Sequence, residues 1–366
     1  MTYRKGIGDD KQAVADIEFF VKQYKSKKQK DAADALFGLA GIYEKQGARE
    51  AEVKALERYL REMGSKGGRD RVVWAHARIG QIQWEDSCKG KGVDGACVKV
   101  ERERAVRKRG KRRRGTVLPD RCGEASKIKL TVLDRDRSLA GRAKGHFKQA
   151  ISAYGKGVDA DDANRKAVAI YWYAAAKFYL AEEDYENFLA VKFPEKLDFD
   201  PNNKKKSEDS KKRFVKWIAD KKKMMGRVGN EYREIADIKG GGAAWAVAAA
   251  ARVGQSFQNF ADGLYTAEVP KDVRTGQFAE DKWDAYCDQL TTEATPLEEE
   301  SIKGFSFCLD TTTALNWFNK WSKLCERELG QIRPQDFPTA SEVYSDPNQV
   351  AAVTDTQGVI NQIAVK

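Results

Sequence analysis

Histidine is almost missing from this chain of 366 residues. The two that occur, His76 and His146, each sit in a helical pattern without a second ligand at metal-binding spacing. Proline is scarce as well, with eight in all, most of them at expected helix boundaries. Long hydrophobic runs are absent: the nearest approach, Gly242 to Ala251, is short, alanine-rich and closed by Arg252, which excludes a membrane-spanning helix. The six cysteines form no Cys-x-x-Cys pair, so neither a zinc site nor a dithiol redox motif is supported. There is no phosphate-cradling loop, because Gly240-Gly241-Gly242 lacks the Gly-Lys-Ser/Thr that should follow, and Gly6-Ile7-Gly8 lacks a preceding strand. Acidic clusters such as Glu182-Glu183-Asp184 and Glu298-Glu299-Glu300 fall in expected caps and turns, where carboxylates are solvated. The expectation is a non-enzymatic chain with no cofactor and no metal.

What is present is apolar material for a sizeable core, 41% hydrophobic and 10% aromatic, beside 33% charged residues. At this length one core no longer suffices, so the chain is either a few packed units or an extended stack. The net charge of +11 is concentrated: ten Lys/Arg and two Glu lie between Lys99 and Arg114, leaving only +3 for the rest. The cysteines fall into two groups of three, Cys88, Cys97, Cys122 and Cys287, Cys308, Cys325, flanking a cysteine-free middle. Disulfides in an oxidising compartment and buried thiols in a cytosolic chain both remain open, and pairing within each group leaves at least one cysteine over.

Apolar spacing of three and four dominates, and strand-like alternation is nearly absent. Asp31 is placed to cap a helix with Leu36, Leu39, Ala40 and Tyr43 on one face; Gln46-Gly47 breaks it, and Val53, Leu56, Tyr59 and Leu60 carry a second helix to Gly64. This hairpin resembles the tetratricopeptide repeat, in which large residues interlock neighbouring helices and a small one, here Ala40, admits the second helix. Asp10 to Tyr24 reads as the second helix of a preceding copy. A third copy begins at Arg71, and its Ala77-Arg78-Ile79-Gly80-Gln81 is echoed by Ala251-Arg252-Val253-Gly254-Gln255. Another is Trp172-x-x-Ala175-Ala176-x-x-Tyr179. A long charged helix is expected from about Ser210 to Asp237 after a linker at Asp198 to Asp209, and Thr295-Pro296-Leu297-Glu298 reads as the start of a helix. A last aromatic helix, Trp317 to Cys325, stops near Pro334.

The predicted fold is therefore all-α, a tetratricopeptide-like α-solenoid of antiparallel helix hairpins with a long basic loop insertion. Its divisions are N-terminal repeats over 1–87, a basic cysteine-containing loop over 88–128, central repeats over 129–267, a C-terminal hairpin or cap over 268–336, and a polar tail over 337–366. In tetratricopeptide stacks the first helix of each pair lines a concave groove. Carried over by position, this resemblance implies Phe37, Trp74, Gln81, Trp84, Tyr173 and Lys177 as partner contacts. The run Arg107, Lys108, Arg109, Lys111, Arg112, Arg113 and Arg114 is either a solvated loop or a polyanion site, and the lack of interleaved aromatics argues against nucleic acid.

From Val168 to Ser345 the chain also resembles deltaproteobacterial envelope proteins with these repeats, some of them tied to gliding motility. The residues are Tyr185-Glu186-x-Phe188-Leu189-Ala190, Leu197-Asp198-Phe199-Asp200-Pro201, Trp317-Phe318-Asn319-x-Trp321 and Gln331-Ile332-Arg333-Pro334. The resemblance implies a periplasmic scaffold in an envelope-spanning machine. The first ten residues lack the apolar core of a secretory signal, which leaves two alternatives: a cytoplasmic protein, or part of a longer or processed chain. The leading expectation is protein–protein scaffolding, with unidentified protein partners; the alternative is a polyanion-binding adaptor acting through residues 99–114.

Overall fold

Apolar stripes three and four residues apart set the architecture. The computed structural model describes residues 10–93, 95–103, 118–122, 127–158, 162–240, 242–315 and 318–338. Over these the chain forms α1 (Asp10–Tyr24), α2 (Gln29–Lys45), α3 (Arg49–Met63) and α4 (Arg69–Asp86), then a two-stranded ribbon, β1 (Val98–Glu103) and β2 (Lys127–Val132). There follow α5 (Arg137–Gly155), α6 (Ala163–Ala190), α7 (Lys204–Ala236), α8 (Ala243–Tyr265), α9 (Ala279–Ala314) and α10 (Lys320–Ile332). Apart from the ribbon the described chain is all-α, and no helix in it is long and apolar enough to cross a membrane.

Each helix packs on the next in chain order, and α4, α6, α8 and α10 also contact one another in series. Two cores result. Ala33, Leu36, Leu56 and Tyr59 of α2 and α3 close over Ala75 and Ile79 of α4, whereas Val73, Ala77 and Trp84 on the other side of α4 belong to a larger core running to α10. Helix α4 is thus apolar on two faces because it is covered on both. Its Gly80 permits close approach, since a Cβ there would stand 2.6 Å from the Phe147 ring of α5.

The ribbon corrects the expectation of a loop over 88–128. Its antiparallel register runs from Val98 opposite Val132 to Glu103 opposite Lys127, so β2 straddles the expected boundary. The sequences VKVERE and KIKLTV have a period of two, but charged residues at alternate places hide it in a search for apolar stripes. A Cys88–Cys97 disulfide and backbone bonds from Leu133 to Cys97 and from Asp136 to Ser87 fasten the root.

Part of the insertion crosses to the far end of the chain. Over 118–122 it lies against the α8–α9 connection: Val269 N donates to the Asp120 carbonyl (2.8 Å), Trp283 Nε1 donates to that of Pro119 (3.1 Å), and Cys122 is bonded to Cys287. Cys308–Cys325 joins α9 to α10, so all six cysteines are paired.

Two helix starts also differ. Thr295-Pro296 does not open a helix; Pro296 lies inside α9, which continues through it. Proline forfeits one N–H bond there, and the close packing of α9 along α8 holds the helix together. A capping box lies at Asn319, whose Oδ1 accepts from Trp321 and Ser322 while Ser322 Oγ accepts from Asn319 N. Helix α7 begins at Lys204, inside the expected linker.

Candidate partner-binding surface

The six groove positions do not assemble into one surface. Phe37 and Trp84 are buried, at 9% and 1% exposure, which removes both as partner contacts. Phe37 is wedged edge-on between Tyr59 (5.1 Å) and Trp74 (4.4 Å). Trp84 lies beneath the Arg135 guanidinium, 3.8 Å from its ring centroid. Trp74 is half-buried and stacks on Trp172 at 6.0 Å with the planes 12° apart. Gln81 donates to Glu85 Oε1 and to the Tyr179 hydroxyl, both at 3.1 Å. Tyr173 stacks on Tyr154 of α5 (4.2 Å), and Lys177 pairs with Glu234 of α7 (2.9 Å). Those two therefore face the neighbouring helices in chain order, while Trp74 and Gln81 face α2 and α6.

Aromatic contacts run without a break through the even-numbered helices. From Phe37 they pass to Trp74, Trp172 and Tyr171, on to Trp245 at 5.6 Å, to Phe178 at 5.1 Å, and to Trp321 of α10 at 5.5 Å. These rings knit successive helices together, which is why so few are free to meet a partner.

The pentapeptide echo is also a structural one. Arg78 grips Glu52 of α3 through Nε (2.6 Å) and Nη2 (3.1 Å), and Arg252 grips Glu182 of α6 in the same bidentate manner at 2.8 and 2.9 Å. Each arginine also donates to the glutamine three residues on, Gln81 at 3.3 Å and Gln255 at 2.6 Å. Each glutamine meets a tyrosine hydroxyl of α6, Tyr179 or Tyr185. Each glycine faces a phenylalanine ring of the following helix: Gly80 faces Phe147, and Gly254 faces Phe305 at 2.7 Å from a notional Cβ. Glu182 and Arg252 are almost wholly buried. Burial pushes the Glu182 carboxyl up, and the Arg252 charge and hydrogen bonds, with the Tyr232 hydroxyl, pull it back.

A third node, Arg135 with Glu186 at 2.5 and 2.8 Å, holds the ribbon root, because Glu186 also accepts from Cys97 N and Arg135 donates to the Trp84 carbonyl and Ser87 Oγ. These acid–base pairs join helices and are turned away from solvent.

Two arrangements had no local signal. His76 of α4 and His146 of α5 meet with their Nδ1 atoms 2.9 Å apart; burial, with the His146 charge, lowers the pKa of His76 to about 4, and burial lowers that of His146. On α7, Lys221 is buried at 2% exposure. No group of three or more His, Cys, Asp or Glu able to hold a metal occurs among the described residues.

The basic run Arg107 to Arg114 lies outside the described residues, between the end of β1 and the 118–122 crossing. A second basic block lies on α7, with ten Lys/Arg against three acidic residues between Lys204 and Lys223. The body is thus not evenly balanced, as the whole-chain sum suggests. The sequence matches no family model and no curated protein.

Proposed function

We propose that the chain is a non-enzymatic scaffold, a tetratricopeptide-like solenoid that presents a helical-repeat groove to a segment of another protein. The supporting observation is the repeated node. Ala77–Gln81 and Ala251–Gln255, 174 positions apart, each join an arginine to a glutamate, a glutamine to a tyrosine hydroxyl of α6, and a glycine to a phenylalanine of the following helix. The glycine contact, each time with the next helix, is what a stack of hairpins produces, since each unit hides its apolar face only against the next; the glutamate lies one helix back from α4 in the first node and two back from α8 in the second. The series α4, α6, α8, α10 agrees with that reading. Of the six groove positions, Trp74 and Gln81 remain as partner contacts, being partly exposed and two turns apart on α4.

Pairing of all six cysteines favours an oxidising compartment, and so an extracytoplasmic place, as part of a motility or other envelope complex. The second reading, a polyanion adaptor acting through residues 99–114, draws support from the way that stretch is anchored: residues 99–103 lie in β1, and the 118–122 crossing follows its other end.

Purification of the intact protein from its source at about 50 and about 200 mM salt separates the two, since electrostatic binding falls steeply over that range. The scaffold reading expects a protein partner in fixed ratio at both salts. Elution as a free chain at both salts refutes it, and loss of all bound material at the higher salt favours the adaptor. A thiol titration of unfolded, unreduced protein that finds free cysteines would remove the basis for the compartment.

A further inference from the structure

The outer face of α7 carries a charge pattern that the packing of the fold does not use. Trp217, Lys221, Val228 and Tyr232 turn inward on this helix. On the opposite side, Lys204, Lys211 and Lys222 form one row and Lys205, Lys212 and Lys223 a second, all exposed. The spacings within each row are 7 and 11 residues, close to two and three whole turns, so each row runs along the helix rather than around it. From Lys204 to Lys223 the ridge is about 29 Å long at the rise of an α-helix. None of the six has an acidic partner within 4.0 Å among the described residues, whereas Lys216 beside them is paired with Asp220. Between the rows lie Val215, 63% exposed, Ala219 and one exposed acidic residue, Glu208, which leaves the face strongly basic.

Six unpaired ammonium groups along one straight edge repel one another, and a protein gains nothing internally from that arrangement. A flat array of phosphates relieves it. The geometry points to the outer face of α7 as a docking surface for an anionic phospholipid membrane, with the two lysine rows meeting headgroup phosphates and Val215 entering between them. Lysine stems reach outward past apolar neighbours to place their charge at such a surface. The ridge lacks the arginine, asparagine and aromatic side chains that read or stack on bases, which disfavours nucleic acid. The choice of lipid over other polyanions also draws on the oxidising compartment proposed above; the existence of the ridge does not.

The test is co-sedimentation of the full chain with vesicles of phosphatidylcholine alone and with about 30 mol % phosphatidylglycerol. Binding is expected to the anionic vesicles only. The variant with Lys211, Lys212, Lys222 and Lys223 each changed to Gln keeps helix propensity and removes no internal contact. At about fivefold per lysine it should bind several hundredfold more weakly. A control changing Arg112, Arg113 and Arg114 to Gln should bind as the unaltered protein does. Equal binding by the lysine variant overturns the proposal, as does loss confined to the arginine variant. Absence of vesicle binding overturns it too, and so does tighter binding to a short DNA duplex than to anionic vesicles at the same salt. None of these outcomes bears on whether the groove binds a protein.

Discussion

Raising the pH from 7 to 9.5 should stabilise this fold, and one lysine is the reason. Lys221 reaches inward from α7; its Nζ donates to the Phe188 carbonyl (2.7 Å) and to Asn259 Oδ1 (2.8 Å) and lies 3.8 Å over the Phe188 ring. Its partners are neutral, so burial pushes its pKa from 10.5 down to about 7. In the unfolded chain the amine keeps its ordinary value. Between the two values the unfolded chain holds a proton that the folded chain has lost, so stability rises with pH through this window. At 1.36 kcal/mol per unit, the climb from pH 7 to 9.5 is worth at most about 3 kcal/mol. Phe188 lies in the last turn of α6, and the negative end of that helix favours the cation and trims the figure toward about 2 kcal/mol. Above about pH 10 the sign reverses. Buried Tyr179 and Tyr232 are held well above the ordinary phenol value, so the unfolded chain ionises first and stability falls. The assay is urea unfolding, followed by tryptophan fluorescence in half-unit steps from pH 6 to 11, on the protein and on Lys221→Met. The lysine protein should climb between pH 7 and 9.5, the methionine variant should stay flat there, and both should fall above pH 10. Parallel curves across the window would refute the reasoning, because Lys221 would then carry its proton alike in both states.

On the acid side, His76, whose pKa burial and the neighbouring His146 lower to about 4, is neutral in the fold and protonated in the unfolded chain below about 6.5. Stability should therefore drop by up to about 3 kcal/mol between pH 6.5 and 4, and His76→Gln should flatten that limb in the same unfolding assay. Changing Glu182 to Ala leaves Arg252 buried without its carboxylate, and thermal unfolding should report a loss of about 3–5 kcal/mol. Gly254→Ala should cost about 1–3 kcal/mol by driving a methyl into Phe305, and Gly304→Ala should behave likewise against the backbone of Gly254. Gly229→Ala, with open space around the new methyl, should instead gain about 0.5–1 kcal/mol, and the same melting experiment ranks all three.

Most helices were legible because their apolar residues report directly on a period of 3.6: α1 occupies the predicted Asp10 to Tyr24, and α3 ends at Met63 beside the predicted Gly64. What escaped was set by neighbours distant in the chain. Pro296 looks like a helix start when only its own turn is considered, yet α9 is held through it by α8. Tyr173 and Lys177 occupy groove positions by count, but the long α6 turns them toward α5 and α7. The two histidines are 70 residues apart and meet only because α4 and α5 pair across the insertion. The pentapeptide echo was the most informative local signal, since its glycine recurs against a phenylalanine of the following helix and its arginine again pairs with a glutamate, although that glutamate lies on α3 in one case and on α6 in the other.

Counting cysteines in two groups of three implied one left over in each, and the structure joins those two, Cys122 to Cys287, 165 residues apart. Periodicity cannot anticipate such a bond, because nothing near either cysteine marks its partner. Its physical consequence is large: closing a loop of that length restricts the unfolded chain by on the order of 5 kcal/mol in the chain-entropy treatment. The helices here contact chiefly the next or next-but-one helix in chain order, and a chain held together in that way frays from its ends. A staple from the α4–α5 insertion to α9 therefore couples the middle of the chain to its last helices, and holds the flank of the basic run in place whether or not the intervening helices loosen.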